Sequence, residues 1–276
     1  MPELELADVT LAYEQIGVGP DLVWLAGGDM PGGDWHLFQT SAFEETFRST
    51  TYDARGVGRT RPHEPPPWPM AVYGADCAAL IEAVCDPPVF LVGLSMGSLI
   101  AQQVALDRPD LVRCAVLMGT YARATGYVRE WEQAEVDFRR DGGRLSVPFA
   151  TAHYGVFMYP AEVLGDDDLW ERVRPLVERD YGSRDDEGLA AQWDACVQFD
   201  SLDRLPGCAV PLHVIAFEQD VQTPPARGKV VADTAPDGHF HLLAGLGHCS
   251  AFGHQPDVVN ACIREIIHSC TGAERR

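Results

Sequence analysis

The stretch Val89-Phe-Leu-Val-Gly-Leu-Ser-Met-Gly97 joins a short apolar run to a serine that stands between two glycines. The run has the length and the β-branched content of a strand that is buried on both faces. The residues from Met96 to Leu106 then have the composition of a helix. A Gly-x-Ser-x-Gly pattern at such a junction is typical of a sharp turn that lifts the serine hydroxyl above the edge of a sheet. Ser95 is therefore the first candidate for a nucleophile.

Short apolar runs on both sides of this stretch predict further strands that alternate with helices. Strands that alternate with helices build a mostly parallel central sheet with helices on its faces. We therefore expect one large α/β domain. The predicted strands are a hairpin at 4–13 and runs at 22–26, 49–52, 89–92, 114–118, 212–217 and 240–243, and the predicted helices lie near 72–84, 96–106, 225–234 and 257–268.

The alternation stops between residues 121 and 205, where no strand is predicted and aromatic residues are about twice as dense as elsewhere. This segment predicts a helical cap, inserted after the sixth predicted strand, over a core made of residues 1–120 and 206–276. Some of its aromatic side chains would form the cap's own core, and the others would line an apolar substrate pocket. The predicted pocket residues of the cap are Tyr127, Trp131, Tyr154 and Phe157.

A serine nucleophile needs a base that takes its proton and an acid that orients the base. In a sheet of this type the acid and then the histidine come from turns after later strands. Asp220 follows the strand at 212–217, and His248 follows the strand at 240–243, both at the carboxyl ends where open α/β sheets build their sites. Glu218 is the rival acid, but its place directly at the strand end favours a structural or solvated role.

An oxyanion that develops on the substrate also needs hydrogen-bond donors. One is the backbone amide of Met96, the residue after the candidate nucleophile. The second is expected from the glycine-rich loop Gly27-Gly-Asp-Met-Pro-Gly-Gly33 after the strand at 22–26. Gly28 is the preferred donor and Asp29 the alternative, and Asp29 is also a predicted substrate contact.

These residues resemble the α/β-hydrolase superfamily over nearly the whole chain. Pro87–Gly97 is similar to that family's strand and nucleophile turn, Tyr52-Asp-Ala-Arg-Gly-Val-Gly-Arg-Thr60 to the turn after its fourth strand, and Ala26-Gly-Gly-Asp29 to its His-Gly-Gly oxyanion loop. Ala26 stands where many members carry histidine, so we expect a different contact to hold this loop. The chain also resembles small-molecule esterases of secondary metabolism, including polyketide methylesterases. The resemblance implies an α/β-hydrolase fold and a hydrolase with a serine nucleophile.

The sequence thus predicts that Ser95 attacks the carbonyl of a carboxylic ester or thioester of a medium-sized, mainly apolar metabolite. His248 would carry the proton, Asp220 would fix the imidazole, and water would clear the acyl-enzyme. One alternative keeps the same triad but cleaves a C–C bond beside a ketone, or performs a cyclisation or lactone-forming step. Another is a non-catalytic ligand-binding protein on this fold, against which an intact triad argues.

Charge narrows the range of partners. The net charge is −20, from 21 basic and 41 acidic residues, and such a surface repels phosphate backbones and anionic lipids. We expect a small-molecule substrate and neither nucleic acid nor membrane as a partner, while a homo-oligomer stays open. The acidic N-terminal segment lacks the apolar core of a signal peptide, and no apolar run approaches the ~18 residues that span a bilayer. A cytoplasmic protein is the expectation.

No metal and no cofactor are expected. His239 and His241 are two residues apart and could ligate a metal, but they lack an acid or a cysteine at ligand spacing. No glycine motif for nucleotides is present. Buried, reduced thiols are the expected state of the cysteines, because they form no Cys-x-x-Cys pair and several lie in apolar runs. The cysteines are at positions 77, 85, 114, 196, 208, 249, 262 and 270.

Overall fold

Nine strands form one mixed sheet in the computed structural model, which describes residues 2–182 and 186–272. The strands are β1 (Glu3–Glu5), β2 (Val9–Gly17), β3 (Asp21–Leu25), β4 (Arg48–Tyr52), β5 (Arg61–Pro62), β6 (Val89–Leu94), β7 (Val112–Met118), β8 (Leu212–Phe217) and β9 (Gly238–Leu243). The sheet order is β1-β2-β4-β3-β6-β7-β8-β9, and β5 pairs with β2. Neighbours from β4 to β9 are parallel, whereas β1, β4 and β5 each pair with β2 in antiparallel fashion.

Helices cover both faces of this sheet, so the central strands are buried on both sides. The helices are α1 (Thr40–Phe43), α2 (Met70–Val84), α3 (Met96–Asp107), α4 (Tyr127–Arg140), α5 (Val147–Met158), α6 (Ala161–Gly165), α7 (Asp167–Gly182), α8 (Asp186–Gln198), α9 (Pro225–Thr234) and α10 (Pro256–Gly272). The side chains of β3 alternate between the two faces: Val23 and Leu25 enter the core under α2, α3 and α9, while Leu22 and Trp24 enter the core under α1 and α10.

The fold class predicted from the sequence is confirmed, and each predicted strand and helix is present to within a few residues. The two-residue strand β5 was not predicted. Because of β5, the helical segment follows the seventh strand of the structure rather than the sixth. The four-residue helix α1 also lies outside the prediction, since one helical turn is too short to show a periodic pattern.

Helices α4 to α8 occupy the chain between β7 and β8, and we refer to them as the cap. In the part of this segment that the structure describes, the one extended pairing is an isolated bridge between Arg123 and Asp200. The cap has a small core of its own, to which Tyr154, Val163 and Val173 belong. Thus part of the aromatic content of the segment serves internal packing.

The lengths and compositions of the helices also bear on membrane insertion. Within residues 2–182 and 186–272, no helix combines the length and the apolar character that a membrane crossing requires.

Candidate active site

Ser95 lies on a tight turn between β6 and α3, at the carboxyl end of the sheet. Its backbone has φ +55° and ψ −123°, a strained conformation for a residue other than glycine. Its amide donates to the carbonyl of Met118, 2.9 Å away, which ties the turn to β7. The turn therefore holds the serine in a fixed position at the top of the sheet.

The two glycines of the turn are required by close backbone contacts. A Cβ at Gly93 would lie 2.3 Å from the carbonyl oxygen of Gly97, and a Cβ at Gly97 would lie 2.1 Å from that of Leu25. Real Cβ atoms do not approach oxygen so closely, so side chains at either position would force the turn open. The Gly-x-Ser-x-Gly pattern thus has a steric cause in this structure.

His248 and Asp220 meet in the loops after β9 and β8. His248 Nδ1 lies 2.6 Å from Asp220 Oδ2, and both residues are 3% exposed. Such a short contact between imidazole and carboxylate fixes the tautomer with hydrogen on Nδ1 and directs Nε2 away from the acid. A Cβ at Gly119, after β7, would lie 3.0 Å from His248 Cε1, so a glycine there leaves room for the ring.

The structure places Asp220, and not Glu218, beside the histidine. Glu218 is exposed and accepts a hydrogen bond from the amide of Gly245 at 2.8 Å. Asp220 accepts from the amides of Gln222 and Thr223 at 2.9 and 2.8 Å, and from the Thr223 hydroxyl at 2.7 Å. These donors fix the orientation of the carboxyl group, so that its Oδ2 faces the imidazole. Thr223 was not predicted from the sequence.

A cavity of about 100 Å³ brings the candidate residues together beneath the cap. Ser95 and His248 line it, as do the two predicted oxyanion donors Gly28 and Met96 and the predicted substrate contact Asp29. Much of the remaining wall is apolar. Its other side chains include Leu94, Leu99, Trp131, Met158, Leu176, Val177, Leu189, Trp193 and Phe252.

The loop after β3 is held by a residue of the cap. Gln192 of α8 is 1% exposed; its Oε1 accepts from the amide of Asp29 at 2.7 Å, and its Nε2 donates to the carbonyl of Arg55 at 2.8 Å. Asp29 itself has φ +63°, so the loop needs such a restraint. Gln192 is therefore the contact that stands in for the histidine missing at Ala26.

Replacing Gln192 with leucine is expected to lower kcat/KM by roughly 10- to 100-fold, because a loop that carries an oxyanion donor loses its position. Steady-state kinetics with an activated ester and thermal unfolding check this result. Gln198→Leu is the matched control, since Gln198 lies on the same helix and is exposed, with a hydrogen bond to Asp194 at 3.5 Å. Equal kinetics in the two variants would show that Gln192 does not position the loop.

The cap also places a buried carboxyl group on the wall of the cavity. Glu132 of α4 is 4% exposed, and burial raises the pKa of its carboxyl group to about 8. The Tyr121 hydroxyl lies 2.9 Å from Glu132 Oε1 and donates to it. Near neutral pH the group is thus largely protonated and can both donate and accept a hydrogen bond.

Of the four cap residues predicted to bind substrate, the structure brings two to the cavity. Trp131 and Tyr154 line it. Tyr127, at the start of α4, is 55% exposed and is not among the lining residues that the structure describes. Phe157 stacks on the outer side of Trp131, with ring centroids 5.0 Å apart, and also lies outside the lining. To place Tyr127 and Phe157 correctly, one would need to know which side of each helix faces the cavity. The spacing of residues in the sequence does not give this orientation.

One class of α/β proteins carries a serine on a strand-to-helix turn, which is called a nucleophile elbow, and an acid and a histidine in turns after later strands. The site described above has this arrangement. The chain belongs to the alpha/beta hydrolase fold family, whose sequence model matches residues 24–254.

Comparison with known proteins supports this membership. A Mycobacterium tuberculosis protein provisionally named non-heme bromoperoxidase BpoC is 32% identical over 95% of this chain and 98% of its own length. The crystal structure of that protein superposes with a TM-score of 0.88, at 31% identity and with coverage of 94% and 96% of the two chains. A Klebsiella pneumoniae protein provisionally named carbamate hydrolase RutD is 26% identical over 90% of this chain and 91% of its own. A thermophilic esterase from Thermogutta terrifontis shares the fold, with a TM-score of 0.83 at 23% identity, over 98% and 99% of the chains.

Proposed function

We propose that the protein is a serine hydrolase that cleaves a carboxylic ester or thioester of a medium-sized, mainly apolar metabolite through an acyl-enzyme. The observation that carries the proposal is that His248, whose Nδ1 lies 2.6 Å from Asp220 Oδ2, lines the same cavity as Ser95. The names of the relatives describe hydrolase and peroxidase enzymes, which supports a catalytic role for this cavity.

In the proposed reaction, His248 Nε2 takes the proton of the Ser95 hydroxyl while the serine oxygen bonds to the substrate carbonyl carbon. The amides of Gly28 and Met96 stabilise the oxyanion of the tetrahedral intermediate. His248 then gives its proton to the leaving alcohol or thiol, and the acyl group stays on Ser95. Water attacks the acyl-enzyme with the same base, which releases the acid and restores the serine. Asp220 stabilises the imidazolium in both halves.

The walls of the cavity are mainly apolar, which supports a mainly apolar substrate. Trp131, Leu99 and Phe252 can bury acyl or alcohol groups, and each buried CH₂ contributes about 0.8 kcal/mol. Glu132, which accepts a hydrogen bond from Tyr121, is one of several polar residues of this wall, together with Arg179 and Gln192. A neutral carboxyl there suits a hydroxyl, carbonyl or amide on the substrate.

A second candidate activity follows from the relative named as a bromoperoxidase. On a serine hydrolase, hydrogen peroxide in place of water would attack the acyl-enzyme, form a peracid and free Ser95. The peracid would oxidise bromide to hypobromous acid and be reduced to the carboxylate. Both candidate activities share the acyl-enzyme and differ in whether water or hydrogen peroxide attacks it. The two activities are therefore distinguished by assaying ester hydrolysis and, separately, bromination in the presence of peroxide and acetate.

Rapid mixing with p-nitrophenyl esters is expected to give a burst of about one nitrophenol per active site, because the activated leaving group makes acylation faster than deacylation and the acyl-enzyme accumulates. Lengthening the acyl chain from acetyl to butyryl should raise kcat/KM by about fourfold per CH₂, which is 0.8 kcal/mol of burial expressed as a rate. Stopped-flow absorbance measures both quantities.

Trp131→Ala and Tyr127→Ala form the matched pair for this experiment, since both residues lie on α4 but Trp131 alone of the two lines the cavity. The chain-length preference should shrink in the first variant and persist in the second.

Saturable ligand binding with no burst would instead support a non-catalytic binding protein. Diketones turned over much faster than matching esters would support C–C cleavage. A best rate with acetate would contradict the bulky-substrate proposal.

A further inference from the structure

Two cysteines and a histidine converge at the end of the sheet opposite the cavity. Cys114 is the third residue of β7, His213 the second residue of β8, and Cys270 lies near the C-terminal end of α10. Their ligand atoms all lie within 4.8 Å of one another, and Cys270 Sγ is 3.6 Å from His213 Nε2. Because Ser95 follows the carboxyl end of β6 and this cluster lies near the amino ends of β7 and β8, the two sites are separate.

Two further histidines on β9 support the cluster. His213 Nδ1 lies 3.1 Å from His241 Nε2, a hydrogen bond that orients the His213 ring with Nε2 toward the cysteines. His239 stacks on His213 with ring centroids 4.3 Å apart, and its own Nε2 is 2.8 Å from Asp237. A hydrogen bond on the second ring nitrogen is the usual way in which proteins hold a metal-binding histidine.

We propose that Cys114, His213 and Cys270 bind a borderline-soft divalent cation of the Zn²⁺ class. Thiolate and imidazole are the ligands that Zn²⁺ prefers, and sulfur and nitrogen ligands of one tetrahedral Zn²⁺ lie roughly 3.5 to 3.8 Å apart. The observed 3.6 Å between Cys270 Sγ and His213 Nε2 fits this range. Binding releases the two thiol protons, so that two thiolates and one neutral imidazole hold the metal.

The three residues differ in burial. Cys114 is fully buried and His213 is 6% exposed, whereas Cys270 is half-buried. With three protein ligands, the fourth position of a tetrahedral cation would be filled by a water molecule that enters on the side of Cys270. The cation would tie α10 to β7 and β8. The inference does not rest on the proposed hydrolase activity.

The proposed site departs from the expectation, drawn from the sequence, that the chain binds no metal. In the sequence, His239 and His241 lack an acid or a cysteine at ligand spacing. In the structure both histidines contact His213, by ring stacking in the case of His239 and by a hydrogen bond in the case of His241. His213 in turn contacts Cys270. The ligands come from two strands and a helix that are far apart in the chain, so no short spacing revealed them.

Titration of the reduced, chelator-treated protein with Co²⁺ tests the proposal. The expected result is one bound Co²⁺ per chain, with the near-ultraviolet sulfur-to-cobalt charge-transfer band that only thiolate ligation produces. Zn²⁺ should displace Co²⁺ and abolish the band. In Cys270→Ser the band should fall to about half, because one of two thiolates remains, and Co²⁺ affinity should fall at least tenfold.

Cys262→Ser is the matched control, since Cys262 is also half-buried on α10 but lies outside the cluster. Its band and its Co²⁺ affinity should equal those of the wild type. Zn²⁺ should raise the melting temperature of the wild type and of Cys262→Ser but not of Cys270→Ser. A wild-type titration without the band, or a band that Cys262→Ser loses equally, would overturn the proposal. A disulfide between Cys114 and Cys270 that survives treatment with a reductant would also overturn it.

Discussion

Replacing Ser95 with alanine is expected to lower kcat for any ester substrate by roughly 10³-fold or more, because the members of a catalytic triad act as a unit. The hydroxyl is the only group on this turn that can form the acyl bond in the proposed reaction. The fold should persist, since alanine fits the same strained turn and removes no hydrogen bond of the Ser95 amide to Met118. Steady-state kinetics and circular dichroism measure the two effects.

A fluorophosphonate probe read by mass spectrometry gives a second readout of the same residue. The wild type should carry the label on Ser95, and Ser95→Ala should carry none. Ser98→Ala is the control, because Ser98 lies one turn further along α3 and its hydroxyl donates to the Ser95 carbonyl at 2.6 Å. That variant should keep the label on Ser95. Near wild-type turnover in Ser95→Ala would refute the assignment of the nucleophile.

Replacing Asp220 with asparagine is expected to reduce kcat by about 10⁴-fold. An asparagine side chain can present its NH₂ group to His248 Nδ1, which favours the tautomer with hydrogen on Nε2. That tautomer cannot accept the proton of Ser95. The substitution is nearly isosteric, so the amides of Gln222 and Thr223 keep an acceptor oxygen. The expected loss is therefore chemical and appears in kcat.

Glu218→Gln controls for the loss of a carboxylate in the same loop. Glu218 is exposed and bonded to the amide of Gly245, and a glutamine oxygen can accept that bond equally well. Its kinetics should match those of the wild type within about twofold. A large loss in Glu218→Gln together with a small one in Asp220→Asn would assign the acid role to Glu218.

The candidate triad could be predicted from the sequence because each member has a local signature. Gly93 and Gly97 are imposed by backbone contacts of the turn itself, and such steric demands leave a short, readable pattern. Asp220 and His248 each follow a predicted strand, and parallel strands bring their carboxyl ends to one edge. Chain order and strand position were thus enough to place them together.

Gln192 and Glu132 could not be predicted, since their roles depend on how the cap sits on the core. Gln192 contacts residues that are 163 and 137 positions away in the chain. Glu132 is one of many acidic residues, and only its burial beside Tyr121 distinguishes it. The cluster of Cys114, His213 and Cys270 could not be predicted either, because it also depends on tertiary structure. Its three residues meet through the register of β7 and β8 and the length of α10.

The hydrogen bond between Gln192 and Asp29 links the cap to the loop that carries the predicted oxyanion donor Gly28. A ligand too bulky for the cavity would push α8 outward, and the same movement would withdraw Gln192 from the loop that carries the Gly28 amide. Such a ligand could still occupy the site, but its carbonyl would meet an incomplete set of donors. Discrimination between substrates would then appear in turnover rather than in affinity, as in enzymes whose correct substrate assembles the catalytic groups. Poor substrates of this protein would accordingly act as inhibitors of good ones.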